Sequence, residues 1–410
     1  MSRASSGQEN DENTLTFTED KLAFRIVVHK TLGDLINHIE SAGIHKRIGV
    51  LIIDHDAGGG ANLYRNDLIR GELNDANFIH LLYYDKVEQK YSCDFYINDV
   101  KYVFKSPLIK EIDQLCDLIS YELIYVNELI GYKDPFYVFN IVKRIKESQS
   151  AKCIVLVHDY FSICPSYTLL DHKNKYCGIP DDINVCQNCL KKLFAFPGVQ
   201  RDIVSWRENW EYYLNETADE IFCFSNSSRD LLIRVYPLLK EKIEVRPHVV
   251  RYIDPVEVER SSEVLTIGFL GGLNYQKGVD VFKELLIFIA KENLKVKVVL
   301  IGYTDESDAV LQKKYSDFLT ITGKYNRESI EMLIQEHEVD VFFVASIIPE
   351  TFSFTTEEII KMNVPIAVFD LGAQAERVRA YEKGIVLKSI SIESVYDELI
   401  NHGKEWLKIS

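Results

Sequence analysis

Leu265 to Gly278 reads LTIGFLGGLNYQKG. A short apolar run leads into a glycine pair, a polar turn and a third glycine. From Val279 the apolar spacing becomes helical, through VFKELLIFIAKE. A buried strand that turns through glycines into a helix is the unit from which parallel sheets with crossover helices are built. The texture continues downstream in VKVVLIG, FLTITG, SIEMLIQEH, VDVFFVAS, a helix at 357–362, PIAVFD and GIVLK. A last helix, from about Ile392 to Lys408, closes the chain.

Upstream the same alternation is present. LAFRIVV precedes the helical LGDLINHIESAG, and RIGVLIID runs into HDAGGGANLYRNDLIRGE, a second glycine turn opening a helix. FIHLLYYD, a hairpin around DFYINDVKYVF, a helix near LIKEIDQLCDLI, the strand LIYVN, the helical PFYVFNIVKRIKES and the strand CIVLVHDY complete the series. Two α/β units therefore lie end to end, with RYIDPVEVERSSE between them as a linker. The expected division is a disordered tail over 1–20, a first domain over 21–250, a second over 262–390 and a closing helix over 391–410. An irregular insertion occupies about 160–205. A cleft between two such domains, at the carboxyl ends of the strands, is a favoured ligand site.

The chain has 410 residues, 47% of them hydrophobic and 27% charged, and a formal net charge of −15. That charge argues against a general nucleic-acid binder, because phosphate contacts need a basic surface. No apolar run reaches the length of a membrane span, and the polar start MSRASSGQENDENT lacks a secretory core. The expected location is the cytoplasm, with peripheral contact to the inner face of a membrane left open.

Four features carry chemistry. Gly58, Gly59 and Gly60 in one turn, and Gly271, Gly272 and Gly278 in the other, let backbone approach a phosphate or sugar. Lys277 supplies a counter-charge there; the competing readings are ligand-free tight turns and a solvated lysine. In PETFSFTTEEIIKMNVP (Pro349 to Pro365), Glu350 sits in a loop and Glu358 inside the following helix. Thr355-x-x-Glu358 has capping-box form, which gives Glu358 a purely structural alternative. Glu350 has none. His158 ends the strand CIVLVHDY and reads as general base, charge stabiliser or structural residue. Cys164, Cys177, Cys186 and Cys189 follow C-x12-C-x8-C-x2-C. This suits one tetrahedral structural zinc, away from the site chemistry, or four reduced thiols in an ordinary loop. The remaining cysteines, Cys93, Cys116, Cys153 and Cys223, read as plain buried thiols.

Together these residues resemble the retaining nucleotide-sugar glycosyltransferases of family 4, over roughly residues 45 to 390. PETFSFTTEE looks like that family's Glu-x7-Glu element. HDAGGGAN and the VHDYFSICPSYTLLDHKNKYCG…C-x-x-C block look like a bacterial subgroup acting in surface-polysaccharide biosynthesis. The resemblance implies a GT-B fold, two Rossmann-like doubly wound domains facing a central cleft, with the donor against the C-terminal domain. Carried over, Glu358 would bind the ribose hydroxyls, Glu350 the donor sugar and Lys277 the diphosphate. Backbone around Phe352, Ser353 and Phe354 would meet the phosphates at the helix N-terminus. Gly58 to Gly60 would lie near the donor phosphates and acceptor, Gly271 and Gly272 in the donor turn, and His158 would face the reacting sugar. Catalytic roles would fall to His158, Lys277 and Glu350.

The family usually has an arginine where this chain has Gly272, which removes one of two cations expected at the leaving diphosphate. The implied activity is hexosyl-type transfer from a nucleotide sugar to a glycan, lipid-linked or protein acceptor, with retention and no catalytic metal. The rivals are a catalytically silent glycosyltransferase-like subunit and a GT-B nucleotide-sugar epimerase or hydrolase.

Overall fold

The computed structural model describes residues 16–19, 22–56, 58–72, 76–193, 202–258, 263–304, 308–400 and 402. The chain forms two compact units. One runs to His158 and takes in Glu208–Phe222; the other holds Asp159 to residue 193, 202–207 and Cys223 onward.

In the first unit the elements in chain order are β1 (Thr16–Glu19), β2 (Leu22–His29), α1 (Leu32–Ser41), β3 (Ile48–His55), α2 (Gly60–Glu72) and β4 (Ile79–Asp85). There follow β5 (Lys90–Ile97), β6 (Val100–Ser106), α3 (Ile109–Asp117), β7 (Ser120–Val126), α4 (Pro135–Gln149) and β8 (Lys152–Val157). Most of α6 (Ile203–Glu216) and β9 (Glu220–Cys223) complete it, whereas α5 (Ile183–Lys192), α7 (Asn226–Val235) and β10 (Ile243–Val245) belong to the second unit. The first sheet has the order β1-β2-β6-β5-β4-β3-β7-β8-β9-β10. β3 is parallel to both neighbours, β4 and β7, while β4-β5-β6 is an antiparallel meander. All of β3 beyond Ile48 is buried, as a central strand covered on both faces must be. α4 starts where the sequence dictates: Asp134 accepts from the Tyr137 amide at 3.0 Å and Pro135 takes the first helical position.

The second unit contains β11 (Leu265–Leu273), α8 (Val279–Lys291), β12 (Val296–Thr304), α9 (Asp308–Lys314), β13 (Leu319–Ile321) and α10 (Ile330–Glu336). It continues with β14 (Val341–Val344), α11 (Phe354–Lys361), β15 (Ile366–Phe369), α12 (Gly372–Arg379) and β16 (Gly384–Leu387). Its sheet has the order β13-β12-β11-β14-β15-β16, parallel throughout. Successive β14 residues feed opposite faces. Val341 and Phe343 join Phe269, Phe282 and Phe369, whereas Phe342 and Val344 join Ile334, Ile359 and Met362. Two cores on one sheet are the mark of a doubly wound domain.

Several elements differ from the sequence reading. Thr16–Glu19, inside the segment read as disordered, pairs antiparallel with β2; residues 1–15 lie outside the described residues. The insertion contains a helix, α5, whose N-cap Asp182 accepts from the Asn184 amide at 2.9 Å. The insertion also packs with the second unit. Trp206 Nε1 donates to the Phe161 carbonyl at 2.9 Å, and the Tyr236 hydroxyl to that of Ser162 at 2.6 Å. At the C-terminus, Ile392–Ser394 and a wider turn over Val395–Ile400 stand where one long helix was expected; residues 403–410 lie outside the described ones. Among the described residues no helix is long and apolar enough to cross a membrane.

Candidate functional site

In an open parallel sheet a crevice forms where the strand order reverses, because the two adjoining strands send their connections to opposite faces. In the second sheet that point lies between β11 and β14. The glycine turn after β11 and the loop after β14 meet there. The Ile347 amide donates to the Gln276 carbonyl at 3.1 Å. Gly278, at φ 81°, leaves no room for a side chain, since a Cβ would stand 2.0 Å from the Ala345 carbonyl oxygen. The close approach brings Lys277 to Glu350, with Nζ 2.9 Å from Oε1. This is an ion pair without hydrogen-bond alignment, so Oε1 is buried with no hydrogen-bond partner. Glu350 is 7% exposed, and burial of a carboxylate is tolerable only with such a counter-charge.

The Glu350 loop is held from behind by α12, a helix the sequence reading did not resolve. Gln374 accepts from the Glu350 amide at 3.1 Å and donates to the Ile348 carbonyl at 2.7 Å. The Ala373 amide donates to the Glu350 carbonyl at 2.8 Å. Gly372 has φ 53°, and a Cβ there would lie 2.6 Å from the Glu350 nitrogen.

α11 begins at Phe354, with Ser353 as its cap: the Ser353 hydroxyl accepts from the Thr356 amide at 3.4 Å and from the Thr356 hydroxyl at 2.9 Å. The capping box suggested by Thr355 and Glu358 does not form, because the helix starts earlier and both residues lie within it. Glu358 is 6% exposed and accepts from the Tyr252 hydroxyl at 2.5 Å. Its neighbour Glu357 takes a two-pronged contact from Arg377, at 2.8 and 3.1 Å. Phe352 and Phe354 pack on His248, centroids 4.7 and 5.0 Å away, and His248 stacks on Phe224 at 4.1 Å. Burial among these rings pushes the His248 imidazole down to about 4.

Gly272 is exposed, next to Gly271 at φ 101°. A Cβ at Gly272 would come to 3.2 Å from Tyr303 Cζ. The Tyr303 ring, with the Lys324 ammonium 5.7 Å from its centroid, thus borders the space a side chain at 272 would enter.

In the first unit the order reverses at β3, and the same logic applies to the Gly58–Gly60 turn. The Gly58 amide donates to Asn62 Oδ1 at 2.5 Å, and Asn62 Nδ2 donates to the buried Asp54 at 2.9 Å. Arg65 pairs with Asp54 at 3.2 Å. Asn127, at the end of β7, donates to the Ala61 carbonyl at 3.1 Å and faces His158 Nε2 at 3.0 Å. The Tyr64 ring stands edge-on to His158, 5.4 Å between centroids. One asparagine therefore ties the glycine turn to the histidine. Its sequence signal is a polar residue closing an apolar strand, the same signal that marked His158.

The four insertion cysteines line one cavity of about 510 Å³ together with His172 and Arg207. Among the described residues no three His, Cys, Asp or Glu side chains converge as a metal-ligand group. Burial pushes the Cys164 thiol up to about 12 and raises Cys177 and Cys189 as well. The insertion is not remote from the site: Tyr275 donates to the Asn174 carbonyl at 2.8 Å and Gln276 to the Tyr167 hydroxyl at 3.0 Å. Both donors adjoin Lys277.

Residues 264–402 match the family described as glycosyl transferases group 1. That stretch contains Lys277, Glu350, Ser353 and Glu358. No curated protein sequence matches the chain. Among solved structures, Anabaena Alr3699/HepE in complex with UDP is similar at 14% identity and TM-score 0.55, covering 88% of this chain and 90% of that one. Sucrose-phosphate synthase from Thermosynechococcus elongatus is similar at 14% identity and TM-score 0.55, over 88% and 94%. The catalytic domain of starch synthase IV from Arabidopsis thaliana, bound to ADP and acarbose, gives 11% and 0.51 over 88% and 94%. The likeness is one of fold: two parallel-sheet α/β domains of the GT-B type.

Proposed function

We propose that the protein is a retaining glycosyltransferase of family 4, moving a hexosyl-type sugar from a nucleotide-sugar donor to a glycan, lipid-linked or protein acceptor. The observation that carries this reading is the Lys277–Glu350 pair at the strand-order break of the second sheet, beside the Ser353-capped start of α11. A cation and free helix N–H groups in one crevice suit a diphosphate. Support also comes from the family match over 264–402 and from HepE, captured with UDP and with UDP and glucose.

Glycosyl transfer leaves charge on the departing diphosphate, and preorganised donors there lower the barrier. Lys277, released from Glu350 by the arriving phosphates, stabilises that charge, and α11 amides near Phe354 add to it. Glu350 then turns its carboxylate to the sugar hydroxyls, while Glu358 takes the ribose. His158, held by Asn127, serves the reacting sugar, and the Gly58–Gly60 turn serves donor phosphate and acceptor. No catalytic metal is needed for these steps. The rival reading, a silent binding subunit, is favoured only by Gly272. A nucleotide-sugar screen, with products separated, tests the assignment. Transfer to an acceptor supports it, hydrolysis or epimerisation alone replaces it, and binding without turnover selects the silent subunit.

We also propose a cytoplasmic setting in surface-polysaccharide assembly, and one structural zinc on Cys164, Cys177, Cys186 and Cys189. A tetrahedral site needs all four sulfurs about 2.3 Å from the metal. The thiols share one cavity without meeting that requirement, so binding would draw them inward and release their protons. Elemental analysis finding no zinc, with melting unchanged by a chelator, removes the proposal.

A further inference from the structure

The segment that follows β10 runs beside α11 and touches it at matched four-residue steps. His248 packs on Phe354, Tyr252 bonds Glu358, and the Val256 amide donates to the Met362 carbonyl at 2.9 Å. The outer two contacts are ring packing and a backbone bond. The middle one is a hydroxyl on a buried acid. Tyr252 is 46% exposed, whereas Glu358 is 6% exposed. A half-exposed phenol reaching a buried carboxylate at 2.5 Å places a polar edge at the mouth of the Glu358 site.

We infer that Tyr252 is a donor-ribose residue: its hydroxyl orients the Glu358 carboxylate and offers the phenolic oxygen as a second acceptor for a vicinal diol. This rests on the donor reading of Glu358 given above. A diol presents two O–H donors on adjacent carbons, and gripping both takes two acceptors side by side. A carboxylate accepts at about four positions and Tyr252 uses one of them. The phenol O–H is spent on Glu358, so its oxygen accepts rather than donates toward the ligand. The pair then discriminates for a ribose bearing both hydroxyls. A nucleotide lacking them leaves buried polar atoms unpaired, which is the stronger source of selectivity.

The test uses the full chain and UDP, GDP and ADP, each titrated with wild type first. For whichever binds, the 2′,3′-dideoxy analogue is compared. Tyr252→Phe should bind the ribonucleotide about tenfold more weakly, equivalent to roughly 1.4 kcal/mol. It should bind the dideoxy analogue as wild type does. In a Glu358→Gln background the same change should cost no further affinity. Unchanged or tighter ribonucleotide binding by Tyr252→Phe overturns the inference, and so does an equal loss for both nucleotides, which marks a merely structural tyrosine. Wild type that binds no nucleoside diphosphate removes the donor reading itself, before any variant is compared.

Discussion

Lys277 and Glu350 form a 2.9 Å ion pair that joins the turn after β11 to the loop after β14. The lysine side chain is 40% exposed and the glutamate 6%, so the pair presents its cation outward and its anion inward. Under the proposed function, an incoming diphosphate would meet the cation first. The buried acid would then be freed when that cation changes partner.

Lys277→Ala should therefore cost turnover more than folding. A charge-assisted contact to a transition-state phosphate contributes ~3 kcal/mol, about two orders of magnitude in rate. Turnover with the true donor and acceptor should fall by at least that factor, with the far-ultraviolet spectrum unchanged. A fully active variant would mean that the leaving group is stabilised elsewhere.

The proposed donor role of Glu358 can be separated from the capping role of Ser353 on α11. Ser353→Ala removes the cap and should destabilise by about 1 kcal/mol. Glu358→Gln leaves the cap intact and should melt near wild type, yet bind donor about 10- to 100-fold more weakly, the effect of a lost charged hydrogen bond. Denaturant titration and donor titration on both variants check the contrast. Weak donor binding confined to Ser353→Ala would reverse the assignment.

The sequence was informative where periodicity and glycine spacing dominate. β11, its turn and α8 are legible in LTIGFLGGLNYQKG alone, because apolar alternation and glycine punctuation are local properties. The meeting of Lys277 with Glu350 is not local. It depends on strand order, and order is set by which faces bury together. Thr355 and Glu358 show the opposite failure: the motif is present, but Phe354 packs on His248 and the helix begins earlier. Tyr252 and Gln374 carried no motif, since each acts through a partner distant in sequence, and Asn127 carried only its place at the close of an apolar strand. α5 was hidden because Gly178 and Pro180 just before it read as loop punctuation.

Gly372 should prove as important to the site as the acids themselves. A methyl group there meets the Glu350 amide nitrogen at 2.6 Å, and its φ of 53° disfavours any side chain. Gly372→Ala should displace the Glu350 loop, lowering both melting temperature and donor affinity. Binding and melting that both match wild type would show the loop to be adaptable.

Acid should loosen the α11 start. Folded His248 is neutral down to about 4, whereas the unfolded chain takes up a proton near 6.5. Between these values the unfolded state binds more protons, so stability is full above pH 6.5 and falls as pH drops toward 4. The loss from this group amounts to up to about 3 kcal/mol. His248→Phe keeps the ring stack and removes the proton site. Its stability should fall less steeply than that of wild type in that window, and identical slopes would exclude His248 as a contributor.

Gly272→Arg asks whether the crevice works with one side-chain cation. The backbone at 272 is not in the left-handed region, so an arginine is conformationally allowed. Its Cβ would come to 3.2 Å from Tyr303 Cζ, tighter than ordinary contact, but Tyr303 is 42% exposed and its ring has solvent to swing into. The variant should fold with little loss, since a surface change away from a packed core costs within about 0.5 kcal/mol. Its guanidinium would then reach toward the same phosphates as Lys277 and bind them in a planar fork. Donor affinity should rise severalfold, and the salt sensitivity of donor binding should steepen with the added charge. Combining it with Lys277→Ala sharpens the test. If the arginine restores turnover to the lysine-less enzyme, both positions serve one diphosphate. If the arginine changes neither affinity nor salt dependence in either background, the phosphates do not lie over the β11 turn.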